Sequence, residues 1–262
     1  MPLLLYKPFL LTPLDVITEF KKTNLSFSDT KIGYAGRLDP FAEGLLLLLI
    51  DEENKKRKDY ESLSKTYHFS CIFGITTDTY DRLGIVTSLN KSLHIDQEDI
   101  QVILPHISSL KKQEYPPYSS KTYNGKPLYY WARQNKLSEI IIPSREITIS
   151  ALHLLGTETI SLYDIIKQTQ SDVQKIKGDF RQNDILTSWQ DIKNKNPDTP
   201  LTVAQFQLSC SSGTYVRGLI HTMGELLGCG AVALTIKRTS IGSYTLADVT
   251  HFSDKSLSGI VE

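Results

Sequence analysis

A chain of 262 residues with an apolar share of 40% can bury one large core or two small ones, and a charged share of 22% sets it apart from disordered chains. Lys and Arg total 29, as do Asp and Glu, so no bulk positive field announces a nucleic-acid partner and any such binding must come from a local patch. Three scattered cysteines, Cys71, Cys210 and Cys229, give neither a disulfide framework nor the paired spacing of a zinc site.

The opening stretch, MPLLLYKPFLLTPLDV, is broken by Lys7, Pro8 and Pro13 and carries no small-residue cleavage site. No apolar run nears the roughly 18 residues of a membrane span. A soluble, cytoplasmic protein is expected. Residues 14–22 place Val16, Ile17 and Phe20 at helical spacing behind a capping Thr12. Residues 45–50 form a short unbroken apolar run, the pattern of a strand buried on both faces. DEENKKRKDYESLS then reads as a solvated charged loop. Residues 65–75 (KTYHFSCIFGI) alternate and are rich in aromatic and β-branched types, which predicts a strand. TTDTYDRLG predicts a hairpin turn leading into a second strand, IVTSL.

Residues 95–110 read as a helix capped near Asp96, and 127–136 as a helix with Pro at its first position. Residues 158 to about 198 differ in texture. Leu162, Ile165, Ile166, Val173 and Ile176 make one amphipathic helix, Gly178 breaks it, and Ile185, Leu186, Trp189 and Ile192 make a second, with KNKNPDTP as linker. This predicts a helical hairpin inserted into the domain. VAQFQLSCSS alternates as a strand ending at Ser212-Gly213, and YVRGLIHTMGELLG puts Val216, Leu219, Ile220, Met223 and Leu227 on one helix face stopped at Gly228. Strands and helices mix without βαβ alternation, so the expected class is α+β with a largely antiparallel sheet.

The chemistry centres on KIGYAGRLDPFAEGLLLLLI, where Asp39 stands between a glycine-rich turn and the apolar run. On spacing alone it is either a turn former or a nucleophile held at the mouth of a pocket. The six histidines show no metal spacing, there is no phosphate loop or dinucleotide fingerprint, and DTYD at 78–81 lacks the further ligands of a calcium loop. DTYD is therefore read as a hairpin turn, and neither metal nor cofactor is expected.

The same segment resembles the catalytic motif of pseudouridine synthases, and specifically K-x-G-H-x-G-x-L-D-P-x-A-x-G-x-L of the bacterial tRNA pseudouridine-55 synthase family (TruB). LLLYKP is similar to the family's opening strand. KTYHFSCIFGITTDTYDRLG is similar to its K-x-Y strand and T-D-T-x-D-x-x-G hairpin. PPYSSKTYNGKPLYYWARQ and CSSGTYVRGLIHTMGELLGCGAVALTIKR resemble two later blocks, all in order along the chain.

The resemblance implies a pseudouridine synthase fold, a central mixed, mainly antiparallel sheet flanked by helices. It also implies a cofactor-free isomerase that converts uridine to pseudouridine at position 55 in the T-loop of tRNA. Asp39 matches the nucleophile, Arg217 the arginine that pairs with it, and Tyr67 the ring on which the flipped base stacks. Tyr215 and Ile236 match further pocket positions. Tyr34 stands where the family has histidine, an aromatic that can stack but carries no positive charge. Arg37 gives the R-L-D motif of ribosomal and other pseudouridine synthases, where the arginine fills the gap left by a flipped base. Both are counted as substrate-binding candidates. Arg37 and Tyr34 also leave open the same chemistry on another RNA, such as rRNA; a non-catalytic tRNA-folding protein is the rival class.

Lys121, Lys126, Arg133 and Lys136 lie in the segment similar to the family's mobile thumb, and Lys237 and Arg238 follow Ile236. Of these, Lys121, Lys126, Arg133, Lys237 and Arg238 are candidates for RNA backbone contacts; KKRK at 55–58 reads as a solvated loop. The catalytic domain is expected over 1–250, with a helical insertion at about 158–198 that usual members lack. That insertion, with Lys175 and Lys177, is either an RNA contact or a structural embellishment. A short tail, 251–262, is expected in place of the PUA domain many bacterial members carry. The implied partner is the tRNA T-loop and stem, with no membrane, no protein partner and a monomeric state.

Overall fold

The computed structural model describes residues 1–90, 95–195 and 199–249, so the expected tail at 251–262 lies outside the described residues. Strand β1 (Leu3–Lys7) leads to α1 (Pro13–Thr23), which starts where Thr12 and Asp15 cap each other: Asp15 N donates to Thr12 Oγ1 at 3.1 Å and Thr12 N to Asp15 Oδ2 at 2.7 Å. Strands β2 (Ile32–Ala35) and β3 (Glu43–Ile50) follow. Leu45, Leu47 and Leu49 enter one apolar cluster, and Leu46 and Leu48 enter another, so β3 is buried on both faces as its run of leucines predicts.

Residues 51–64 depart from the loop expected there. They form a 3-10 turn, Asp51–Lys56, and a short helix α2 (Arg57–Ser62). No apolar period marks them; instead Lys55 pairs with Glu52 at 2.5 Å and Arg57 with Glu61 at 2.8 Å, one turn apart. Next come β4 (Lys65–Phe73) and the small hairpin β5 (Ile75–Thr77) and β6 (Val86–Leu89), so the expected 65–75 strand breaks at Gly74, whose φ is +95°. Helix α3 (Gln97–Ser109) is capped by Asp96 as expected. Short strands β7 (Lys112–Glu114), β8 (Thr122–Tyr123) and β9 (Lys126–Pro127) precede α4 (Leu128–Arg133), where Pro127 is the cap rather than the first helical residue.

After β10 (Ser144–Glu146), strand β11 runs over Ile149–Ser161, past residue 158 where the helical insertion is expected to begin. The helical hairpin expected about Gly178 forms as α5 (Leu162–Lys175) and α6 (Gln182–Lys195), mounted on the far ends of β11 and β12 (Pro200–Cys210), where Ser161 pairs with Pro200. Helix α7 (Val216–Leu226), strand β13 (Ala231–Ile241) and the short β14 (Tyr244–Thr245) complete the chain.

The main sheet has the order β1-β3-β13-β4-β12-β11, with β2 on β3 and β14 on β13. Its pairings are antiparallel except β3 with β13, which run parallel through Glu43↔Lys237 and Gly44↔Arg238. This is the mixed, mainly antiparallel α+β sheet expected. A core that joins Phe69, Ile72 and Phe206 to Leu219, Ile220 and Met223 of α7 fixes that helix on the sheet. No helix among the described residues is long and apolar enough to cross a membrane.

Candidate active site

Asp39 sits in the loop between β2 and β3. Gly36, at φ +72°, turns the chain, and Leu38, Phe41 and Ala42 are buried on either side of the acid. The loop is pinned by Leu10 N donating to Pro40 O at 2.8 Å and Ala42 N to Asp39 O at 3.0 Å. Greasy anchors thus hold the carboxylate on a rim, with its side chain 31% exposed.

Arg217 is the second residue of α7 and is 4% exposed. Its Nε and Nη2 both donate to Asp39 Oδ2, at 3.0 and 2.6 Å, and Nη1 donates to Thr79 O. Asp81 Oδ2 lies 3.5 Å from the same Nε. Burial alone would raise the pKa of Asp39, but Arg217 outweighs it and holds the carboxyl below its ordinary value, with smaller help from Arg37 and Lys7. Asp81 is different. It is 6% exposed and burial dominates over Arg217, pushing it up to about 6 although Thr79 Oγ1 and Leu83 N donate to Oδ1 at 2.8 and 3.0 Å. The start of α7 is fixed by a reciprocal pair: Tyr215 N donates to Gln113 Oε1 at 2.8 Å, and Gln113 Nε2 to Tyr215 O at 2.9 Å.

A cavity of about 270 Å³ opens at Asp39, walled by Leu38, Tyr67, Tyr215, Val216, Ile236 and Arg238 among others. Tyr67 and Ile236 sit on neighbouring strands β4 and β13 and are 8% and 5% exposed. Burial raises the pKa of Tyr67, with Arg238 opposing, so the ring is a neutral stacking face. Lys65, also in the wall, donates to Glu61 O and Leu63 O at 2.6 and 2.5 Å; burial, then Arg238, brings it down to about 8. A second cavity, about 380 Å³, shares Arg37, Asp39 and Arg217 with the first and continues toward Phe41, Tyr118 and Phe180. Asp39 therefore stands where the two cavities meet, held ionised.

The structure brings Asp39, Arg37, Tyr67, Tyr215, Arg217 and Ile236 together at one cavity. Arg37 is exposed at the mouth of both. Tyr34 stands apart: it lines neither cavity, packs against the cluster under α1 and carries Arg57 at 5.5 Å from its ring centroid. Lys121 and Lys126 are exposed, near the rings of Tyr115 (5.3 Å) and Tyr130 (5.2 Å), while Arg133 is paired with Asp179 at 2.8 Å. Lys237 is half-buried beside Tyr6, 5.5 Å from its ring centroid. Arg238, expected at an RNA backbone, is instead 1% exposed and donates to Leu45 O at 2.8 Å and Gly36 O at 3.0 Å. It builds the cavity wall and the Gly36 turn, because those carbonyls satisfy a charge the sheet has buried.

Sequence reasoning passed over Asp81, Gln113 and Lys65. DTYD does form the turn expected, yet its last acid faces an arginine far along the chain, which local spacing cannot reveal. No cluster of three or more His, Cys, Asp and Glu able to hold a metal occurs among the described residues.

A family model for "TruB family pseudouridylate synthase (N terminal domain)" matches residues 22–180. The chain is 31% identical over 252 residues to a tRNA pseudouridine synthase B of Endomicrobium trichonymphae, covering 96% of this chain and 89% of that one. It is 30% identical over 240 residues to one of Geobacter sulfurreducens, covering 92% of this chain but only 64% of that one. Among solved structures, a chain of a Cbf5-Nop10-Gar1 complex superposes with a TM-score of 0.57 at 16% identity, over 93% of this chain and 49% of that one. That likeness speaks for the fold.

Proposed function

The chain belongs to the TruB family of pseudouridylate synthases, and from that premise we propose that it isomerises uridine to pseudouridine in tRNA, at position 55 of the T-loop, with Asp39 as nucleophile. The observation that carries the reading is the Asp39–Arg217 pair at the mouth of a cavity whose walls suit a flat base. An ionised carboxylate at neutral pH can attack the nucleoside and later leave. The C1′–N1 bond breaks, the freed base turns between Tyr67 and the aliphatic wall, and a C1′–C5 bond forms. The C5 proton passes to solvent and N1 regains one, so product and substrate have the same atoms.

The target base has to leave its stack to reach Asp39, since a 31% exposed side chain on a cavity rim cannot meet a base inside a folded loop. Tyr67 and Ile236 then hold the extruded base, and Arg37 is placed to meet the strand at the mouth. Lys121 and Lys126 supply exposed charge for the phosphates. A monomer in the cytoplasm goes with this reading.

The site of modification is tested by treating an unmodified tRNA transcript with the enzyme, forming the carbodiimide adduct of pseudouridine and mapping reverse-transcriptase stops. A single stop at position 55 is expected. A stop elsewhere in tRNA, or only in rRNA transcripts, would move the target and keep the chemistry. No stop with RNA binding intact would leave a non-catalytic binder.

A further inference from the structure

The insertion α5–α6 contacts the segment that carries Thr79 and Asp81, the neighbours of Arg217. From α5, Asp172 Oδ2 lies 2.5 Å from Arg82 Nη1. From the turn between the helices, Arg181 donates to Asp78 Oδ2 and Oδ1 at 2.5 and 3.3 Å. From α6, Trp189 Nε1 donates to Gly84 O at 3.1 Å and Ser188 Oγ accepts from Val86 N at 3.2 Å. Each of these contacts falls within residues 78–86.

That segment presents Thr79 O and Asp81 to Arg217. Asp78 also closes the hairpin, accepting from Ile85 N at 2.9 Å, so Arg181 grips its base. Arg82 is 2% exposed and its guanidinium lies 5.2 Å from the ring centroid of Phe9 and 5.7 Å from that of Phe41, in the Asp39 loop. A cation at that depth needs a counter-charge, and Asp172 supplies the larger part of it, with Asp81 adding a smaller one.

We propose that the helical insertion is a positioning element for the catalytic carboxylate: Asp172, Arg181, Ser188 and Trp189 fix the 78–86 segment, which fixes Arg217, which holds Asp39. This rests on Asp39 being the nucleophile. Neither Asp172 nor Trp189 lines either cavity, so neither acts by touching RNA there. Trp189 is fully buried, and replacing it with Phe keeps most of the ring while deleting the bond to Gly84 O.

The test compares Asp172→Asn, Asp172→Glu, Trp189→Phe and, as an exposed control on the insertion, Lys175→Glu. It reads kcat and KM for a tRNA transcript and, separately, amide hydrogen exchange at residues 78–86. Asp172→Asn is expected to lower kcat about 10-fold or more with KM within about 2-fold, because a small displacement of the reacting group is enough. Asp172→Glu should restore most of the rate, Trp189→Phe should lower kcat about 3-fold, and both Asp172→Asn and Trp189→Phe should speed exchange at 78–86. If Asp172→Asn fails to fold, Trp189→Phe decides. Folded variants with kcat within about 2-fold of wild type and unchanged exchange would overturn the proposal. So would losses confined to KM and shared by Lys175→Glu, which would make the insertion an RNA contact. An inactive wild type would overturn the functional reading instead, and the exchange data would then decide whether the insertion fixes the segment.

Discussion

Arg217 holds Asp39 by one oxygen: its Nε and Nη2 both donate to Oδ2, at 3.0 and 2.6 Å, while Oδ1 stays outside the pair. The guanidinium stabilises the anion without covering both carboxylate oxygens. Its remaining nitrogen, Nη1, reaches Thr79 O, so the pair is tied to the 78–86 segment as well as to α7.

Replacing Arg217 with Met would leave Asp39 and Asp81 near each other without their main counter-charge, and burial would then act to raise the pKa of Asp39. The single-turnover rate at pH 7 is expected to fall about 10²- to 10³-fold with tRNA affinity nearly unchanged. Arg217→Lys should recover little of it, since an ammonium cannot reproduce the planar fork across Asp39 and Thr79 O.

With Asp81 pushed up to about 6 by burial and Asp39 held below its ordinary value by Arg217, Asp81 rather than Asp39 is expected to set the acid side of the pH profile. Protonating Asp81 removes one of the two acids facing Arg217, so kcat is expected to decline below about pH 6, and Asp81→Asn should abolish that inflection. Stability runs the opposite way. The folded pKa lies above the unfolded value, so the contribution of Asp81 is full below about pH 4 and is lost as pH rises through about 6. Urea unfolding of the Asn variant should lack this component.

Gly44 has φ +111°, and a Cβ there would lie 2.3 Å from Arg238 O across the parallel β3–β13 pairing. Gly44→Ala is expected to lose more than about 3 kcal/mol of stability, against about 0.5 kcal/mol or less for Gly156→Ala. A Cβ at Gly156 meets nothing within 4 Å. Denaturant midpoints at unchanged slope give the comparison.

Exposed and buried cations separate in salt titrations. Lys121→Glu and Lys126→Glu should each weaken tRNA binding and flatten the log–log salt slope by about one. Arg238→Met should lower stability and leave the slope alone, because its guanidinium is already spent on Leu45 O and Gly36 O.

Where a residue's neighbours lie close in sequence, its structural role could be read there. Thr12 and Asp96 cap the helices expected of them, residues 45–50 are buried on both faces, and the hairpin around Gly178 forms. The segment 51–62 escaped because its helical turns rest on charge pairs rather than an apolar period. The sequence makes Arg238 a candidate for RNA backbone contact because it does not tell that the parallel pairing with Gly44 buries it. For Asp81 the sequence shows only a turn, because its partner Arg217 arrives from another element. The expected grouping of Asp39, Tyr67, Arg217 and Ile236 rested on the family resemblance; local pattern alone left Asp39 undecided.

The most direct test is tritium release from C5-labelled uridine in an unmodified tRNA transcript, with wild type, Asp39→Ala and a transcript carrying cytidine at position 55. The account predicts one equivalent released by wild type, none by Asp39→Ala at equal tRNA affinity, and none from the cytidine transcript. Release by Asp39→Ala at the wild-type rate would contradict it, since the carboxylate that Arg217 holds would then have no part in breaking the glycosidic bond.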